Sequence, residues 1–204
     1  MTDRIYKVKE PKRLRLLVSQ LRQEILDIVR ARRDCSAAEI AYDLAVPHDT
    51  IYYHLRKLVR AGLLVQRGKR AAIRRHEAYY SIPGDELQIE YDLSSSQSVK
   101  MLVKTISSLL LAARKDFKKG AYSRKASVKG KYRNLWGARM TAWLSKEDVA
   151  EIQHLLVQIE QKFRRSRRGR GKSLHAISWI IAPLENEKIR NPSGKRITMG
   201  RIRK

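Results

Sequence analysis

Thr50, Tyr52, Tyr53, Arg56 and Lys57 place a hydroxyl, two phenols, a guanidinium and an ammonium within eight consecutive residues. Such groups reach base edges and phosphates in a nucleic-acid groove, and binding of that kind is the chemistry their spacing suits. Between them Ile51, Leu55, Leu58 and Val59 recur at helical spacing, so one face of a short helix can pack on a core while the polar groups fill the others. The helix is predicted over residues 49–62. The Asp49 carboxylate can cap it, Pro47 fixes the entry of the chain, and Gly62 can end it in a left-handed conformation. His48, at its start, can touch a phosphate or a base. Base contacts come mainly from the N-terminal part of a helix so placed, which makes Tyr52 and Tyr53 candidate readers and leaves Arg56 and Lys57 to grip phosphates. One of the two tyrosines could instead pack against the wing or the first helix. His54 sits beside the core position Leu55 and reads as a structural, hydrogen-bonded histidine.

Ser36 is placed to cap a short helix over residues 37–44, with Glu39 three residues on as its capping-box partner. Ala45-Val46-Pro47 is then a turn, and two short helices joined by three residues have helix-turn-helix geometry. Residues 63–67 and 76–82 read as strands around a basic tip at 68–75, a β-hairpin wing. Arg67, Lys69, Arg70, Arg74 and Arg75 give it five cations that can follow the backbone or the adjacent minor groove; a solvated hairpin tip is the plainer reading.

The strings S-A-A-E-I-A-Y-D-L, T-I-Y-Y-H-L-R-K-L-V-R-A-G-L-L and R-H-E-A-Y-Y-S-I resemble the winged-helix DNA-binding domain of arsenic-repressor-like (ArsR-like) transcription regulators of bacteria and archaea. The resemblance covers roughly residues 12–83. It implies a homodimer on a two-fold-symmetric operator. Metal-sensing members often carry a cysteine pair on the helix before the recognition helix, and this chain has only Cys35, just ahead of it. A lone thiol cannot form a tetrahedral site, and the five histidines lack paired spacing, so no metal or other cofactor is expected.

The chain has 204 residues and a formal charge of +25. Eighteen Lys/Arg against thirteen Asp/Glu in residues 1–92 leave about +20 for residues 93–204, so the basic excess lies mostly outside the winged helix. Such a field attracts polyanions without reading sequence. One block runs from Arg114 to Arg133 and another from Lys162 to Lys172, and either could hold flanking DNA or RNA. No apolar run approaches the roughly 20 residues of a membrane span, and the first ten residues lack a signal-peptide core, which predicts a cytoplasmic protein with no membrane partner. No G-x-S-x-G, Walker-type glycine loop, H-E-x-x-H or G-x-G-x-x-G occurs, so an enzyme is not expected.

Ahead of the motif, Leu14, Leu17, Val18, Leu21, Ile25, Ile28 and Val29 predict one amphipathic helix over residues 11–33. Residues 84–97 read as a linker in which 87–91 could form a short strand. Val99, Leu102, Val103, Ile106, Leu109, Leu110, Ala113 and Phe117 then mark a helix over 97–119. Leu14, Leu17, Leu21, Leu102, Ile106, Leu109 and Leu110 are the candidate dimer contacts. Residues 120–133 read as a basic loop, 134–144 as a half-buried strand, and Ser145 with Asp148 as the start of a helix. A second strand is predicted over 174–182, and Trp136, Trp143 and Trp179 on or beside the two strands are core or the lining of an effector pocket. The expected architecture is mainly α with small β (α+β). It comprises a winged helix-turn-helix at 1–83, the linker, a small α+β dimerisation domain at 98–184 and a basic disordered tail at 185–204. The function expected is a homodimeric transcription regulator, most simply a repressor, on double-stranded DNA; the alternative is an architectural or RNA-associated protein with little sequence preference.

Overall fold

The computed structural model describes residues 5–71, 76–84, 86–90, 92–166 and 168–184, with the backbone alone at 69–71 and 76. Pro11 opens α1 (Pro11–Leu17), where its missing N–H costs no helical bond. The single helix expected over 11–33 is in fact two, broken at Val18 and Ser19 before α2 (Gln20–Arg32). Ser19 is extended (φ −85°, ψ 118°), and its carbonyl accepts from the amides of Arg22 and Gln23. Side chains then take carbonyls that the break leaves open: Gln23 Nε2 donates to Leu17 O, and Ser108 Oγ donates to Val18 O at 2.5 Å. The apolar stripe runs on through the break, which hid it from the spacing.

After β2 (Cys35–Ser36), the capping box forms as the sequence predicts: Ser36 Oγ accepts from the Glu39 amide at 3.3 Å, and the Glu39 carboxylate accepts from the Ser36 amide at 2.9 Å. Helix α3 (Ala37–Leu44) ends on Ala45 in the left-handed region (φ 53°, ψ 49°). Helix α4 (His48–Arg60) starts one residue earlier than expected, and Pro47 holds its cap position without a side-chain bond. Asp49 is therefore not the cap. It lies in the first turn, where its charge favours the positive end of the helix. Gly62 ends α4 at φ +69°: its amide bonds Val59 O and that of Leu63 bonds Leu58 O, each at 2.9 Å, while the Leu58 and Leu63 side chains are both buried.

Strands β3 (Val65–Ala71) and β4 (His76–Ser81) pair antiparallel as the wing, and β2 adds to the free side of β4, with Cys35 opposite Tyr80. The strand expected at 63–67 is thus displaced and longer. A second, two-stranded sheet joins β1 (Ile5–Val8) in parallel to β5 (Glu86–Ile89), so the segment read as a linker returns to the domain and buries Leu87 beside Val8. One core unites Ile25 and Val29 of α2, Ile40 of α3, Ile51, Leu55 and Leu58 of α4, and Tyr80 of β4.

Helix α5 (Ser96–Ala121) crosses α1 and α2. It presents Met101, Thr105 and Ser108 to them, small or flexible groups that fit against the α1–α2 break. Lys115 Nζ reaches both oxygens of the buried Glu24, at 2.8 and 2.9 Å. Helix α6 (Lys146–Arg165) has the expected Ser145–Asp148 capping box and buries no side chain. Its Arg164 bonds Glu86 on β5. The strands expected at 134–144 and 174–182 are absent as strands: no described residue pairs with them, and strand geometry persists only with a partner. The basic tail predicted at 185–204 lies outside the described residues. Helices with two small sheets place the chain in the α+β class.

Candidate nucleic-acid interface

Burial of Ile51, Leu55 and Leu58 fixes the phase of α4 and turns Asp49, Tyr53, Arg56 and Arg60 to solvent, at steps of four, three and four residues. His48, Thr50, Tyr52 and Lys57 flank this face, half-buried. The helix separates the two tyrosines. Tyr53 is 48 % exposed, whereas Tyr52 packs against the core and meets the His48 ring edge-on, 4.6 Å between centroids. Lys57 reaches back one turn, donating to the Tyr53 hydroxyl at 2.5 Å with its ammonium 4.2 Å from the ring centre. That cation holds the Tyr53 phenol below its ordinary range. The surface therefore offers a carboxylate that can accept from cytosine N4, a phenol flanked by an ammonium, and two guanidinium groups toward the C-terminal end.

His54 lies behind this face. Burial pushes its imidazole below the usual range, and the Arg22 and Lys57 cations push it further. The hydrogen bond expected of it is missing at Nδ1, which is buried without a partner among the described residues, as is Arg22 Nε. Its ring instead meets Tyr53 edge-on at 5.1 Å.

Arg32 fixes the angle at which α3 leaves α2, and so the seat of α4. Its guanidinium grips Asp43 through two bonds, Nε at 2.6 Å and Nη2 at 2.9 Å, and Glu39 through Nη1 at 2.8 Å. On the wing, the register slips between Gln66 and Gly68, leaving Arg67 as the extra residue. Arg67 is exposed at the root of the hairpin, with its Nε donating to Ser81 Oγ at 2.8 Å. Lys69 and Arg70 fall on β3 opposite Ala78 and Glu77. Arg74 and Arg75 lie outside the described residues.

Arg60, which the helical spacing leaves with Arg56 and Lys57 off the apolar face, is exposed here; Tyr42 was not singled out. Tyr42 stands 82 % exposed on α3, the helix that precedes α4 in the motif. The same phase that buries Ile40 and Leu44 would have revealed it. Of the candidate dimer contacts, Leu17 is sealed in the chain's own core, Leu14, Leu21, Leu102, Ile106 and Leu109 are half-buried, and Leu110 is exposed. Cys35 is buried on β2, and burial pushes its thiol up to about 12, which keeps it protonated at neutral pH. Among the described residues no three of His, Cys, Asp and Glu gather as a metal site, and no helix is long and apolar enough to cross a membrane. Trp143 is fully exposed and Trp136 largely so, so they do not enclose a pocket within one chain.

Residues 11–67 match the model of the helix-turn-helix domain family, a span that ends within β3. No curated protein matches the chain. Among solved structures, it is similar to the crystal structure of transcriptional regulator PA4135 at 10 % identity and a TM-score of 0.28, over 70 % of this chain and 77 % of that one. Residues 11–67 are thus similar to helix-turn-helix domains, and α3, the turn at Ala45 and α4 have the helix-turn-helix geometry.

Proposed function

We propose that this protein is a sequence-specific transcription regulator of the arsenic-repressor-like kind, which binds a two-fold-symmetric DNA site as a homodimer and represses by occupying it. The observation that carries the reading is the solvent face of α4, where Asp49 and Tyr53 occupy the N-terminal half and Arg56 and Arg60 follow on the same side. Inserted N-terminus first into a major groove, that face sets the carboxylate and phenol against base edges and the guanidinium groups against backbone. The wing, with Arg67 at its root, grips the adjacent backbone or minor groove. His48, Thr50 and Lys57 line the edges of the contact.

One recognition helix reads one half-site, and α5 offers a means of joining two. The residues it turns to α1 and α2 lie on one side. Val99, Val103, Ile106, Leu110, Ala113 and Phe117 repeat at steps of four and three on the opposite side, with four of the six exposed. That is the spacing of a helix-helix seam.

The excess of about +20 in residues 93–204 favours a second reading, an architectural protein that coats nucleic acid with little sequence preference. Competition separates the two. Genomic fragments bound at physiological salt under an approximately thousandfold excess of random duplex should share one motif of two inverted half-sites about one helical turn apart. Loss of every fragment under that competition would leave the non-specific reading.

A further inference from the structure

Residues 136–144 and 174–184 form no helix, strand or backbone-to-backbone hydrogen bond among the described residues. Both carry large apolar side chains into solvent, Met140 and Trp143 on the first, Ile177 and Ile180 on the second. Residues 174–184 contain no Lys, Arg, Asp or Glu. A sheet edge left without charge is an adhesive surface, and proteins that keep such an edge open guard it with charged groups, proline or bulges. Helix α6, between the two segments, starts on a complete capping box yet buries none of its apolar residues. Strand, helix and strand are all present in sequence, and what they lack is the layer that covers them.

The geometry points to a second copy of this chain as that layer. We infer that residues 134–144 and 174–182 become strands by pairing with the same segments of the second copy, giving an intertwined dimer whose shared sheet is covered by α6 from each chain. A missing layer of this kind must bring strand edges and apolar helix faces of matching length, and the chain itself carries both. A partner of another sequence would leave the α5 seam and the single recognition helix without their counterparts. The inference rests on the dimeric reading of the DNA-binding function and specifies how the dimer is built.

The test uses the full chain at about 0.5 M salt, where repulsion between basic surfaces is screened. Light scattering should give twice the chain mass of 23.7 kDa. Amides in 136–144 and 174–182 should exchange at least about a hundredfold slower than in an open chain. In a dimer of one labelled and one unlabelled chain, isotope-filtered spectra should show contacts between these segments across copies. Ser178→Pro removes a ladder N–H and should release protection in 136–144 as well, while the helix-turn-helix amides stay protected. A dimer in which both segments exchange freely overturns this inference and leaves the dimeric regulator standing, as do contacts confined to one chain. A species of 23.7 kDa takes down both.

Discussion

Ala45 holds the turn of the helix-turn-helix in a conformation that a Cβ disfavours (φ 53°, ψ 49°), and two bonds keep it there: its own amide to Tyr42 O and the Val46 amide to Ala41 O. Glycine relieves the strain but adds entropy to the unfolded chain, so Ala45→Gly should gain about 0.5 kcal/mol in chemical denaturation. An unchanged or lower midpoint would mean that the turn stores no strain. His54 makes a pH prediction. Its folded pKa lies below its unfolded value, so the folded chain binds fewer protons than the unfolded one. The stability this confers is present above the unfolded pKa, about 6.5, and is lost as pH falls through the lower folded value. The melting temperature should therefore drop on acidification below about pH 6.5, with a shallower drop in His54→Gln. Equal slopes would show that another group governs the acid limb. Residues at this scale were legible wherever helical phase decides them. Burial of Ile51 and Leu55 implies exposure of Tyr53, and Gly62 announced its own left-handed turn. The sequence also offered packing for one of the two tyrosines without saying which; it is Tyr52 that packs against the core.

Elements divide in the same way. Helices α3, α4, α5 and α6 were readable to within a residue or two because caps and apolar spacing are local signals. Strand β2 has two residues and β1 four, and each exists only through its partner: β1 pairs with β5 some eighty residues further on. Alternation marks a possible strand at 87–91, but periodicity carries no information about which segment pairs with it. The α1–α2 break escaped for a related reason, since the groups that satisfy it come from Gln23 and from Ser108 on α5. Among contacts between elements, Arg32 is the most consequential for the site, because its bonds to Asp43 and Glu39 join α2 to the helix in front of α4. The Arg32 side chain is largely buried, and removing it leaves Asp43 unpaired beside the core. Arg32→Ala should cost about 2 kcal/mol in denaturation, and Arg32→Lys should recover only part of that, since an ammonium cannot make the paired bonds. Full recovery by lysine would reduce the contact to simple charge attraction.

At the scale of the whole molecule, site choice and affinity are assigned to different parts. The winged helix is close to charge-balanced, with about +5 over residues 1–92, and holds the candidate base contacts, while the later residues carry most of the positive field. The second half was the least legible part. Its strand patterns at 134–144 and 174–182 are plain in the sequence, yet no described residue pairs with them. The claim at the centre of this account is that the exposed N-terminal half of α4 reads bases. It is tested most directly by the affinity of the Asp49→Ala/Tyr53→Ala double variant for a selected site and for a scrambled duplex, across a series of salt concentrations. Neither residue is a fixed cation, so the slope of log affinity against log salt should stay at its wild-type value, while preference for the selected site falls at least about tenfold. Preserved preference would contradict the claim, and so would an equal loss of affinity for both duplexes.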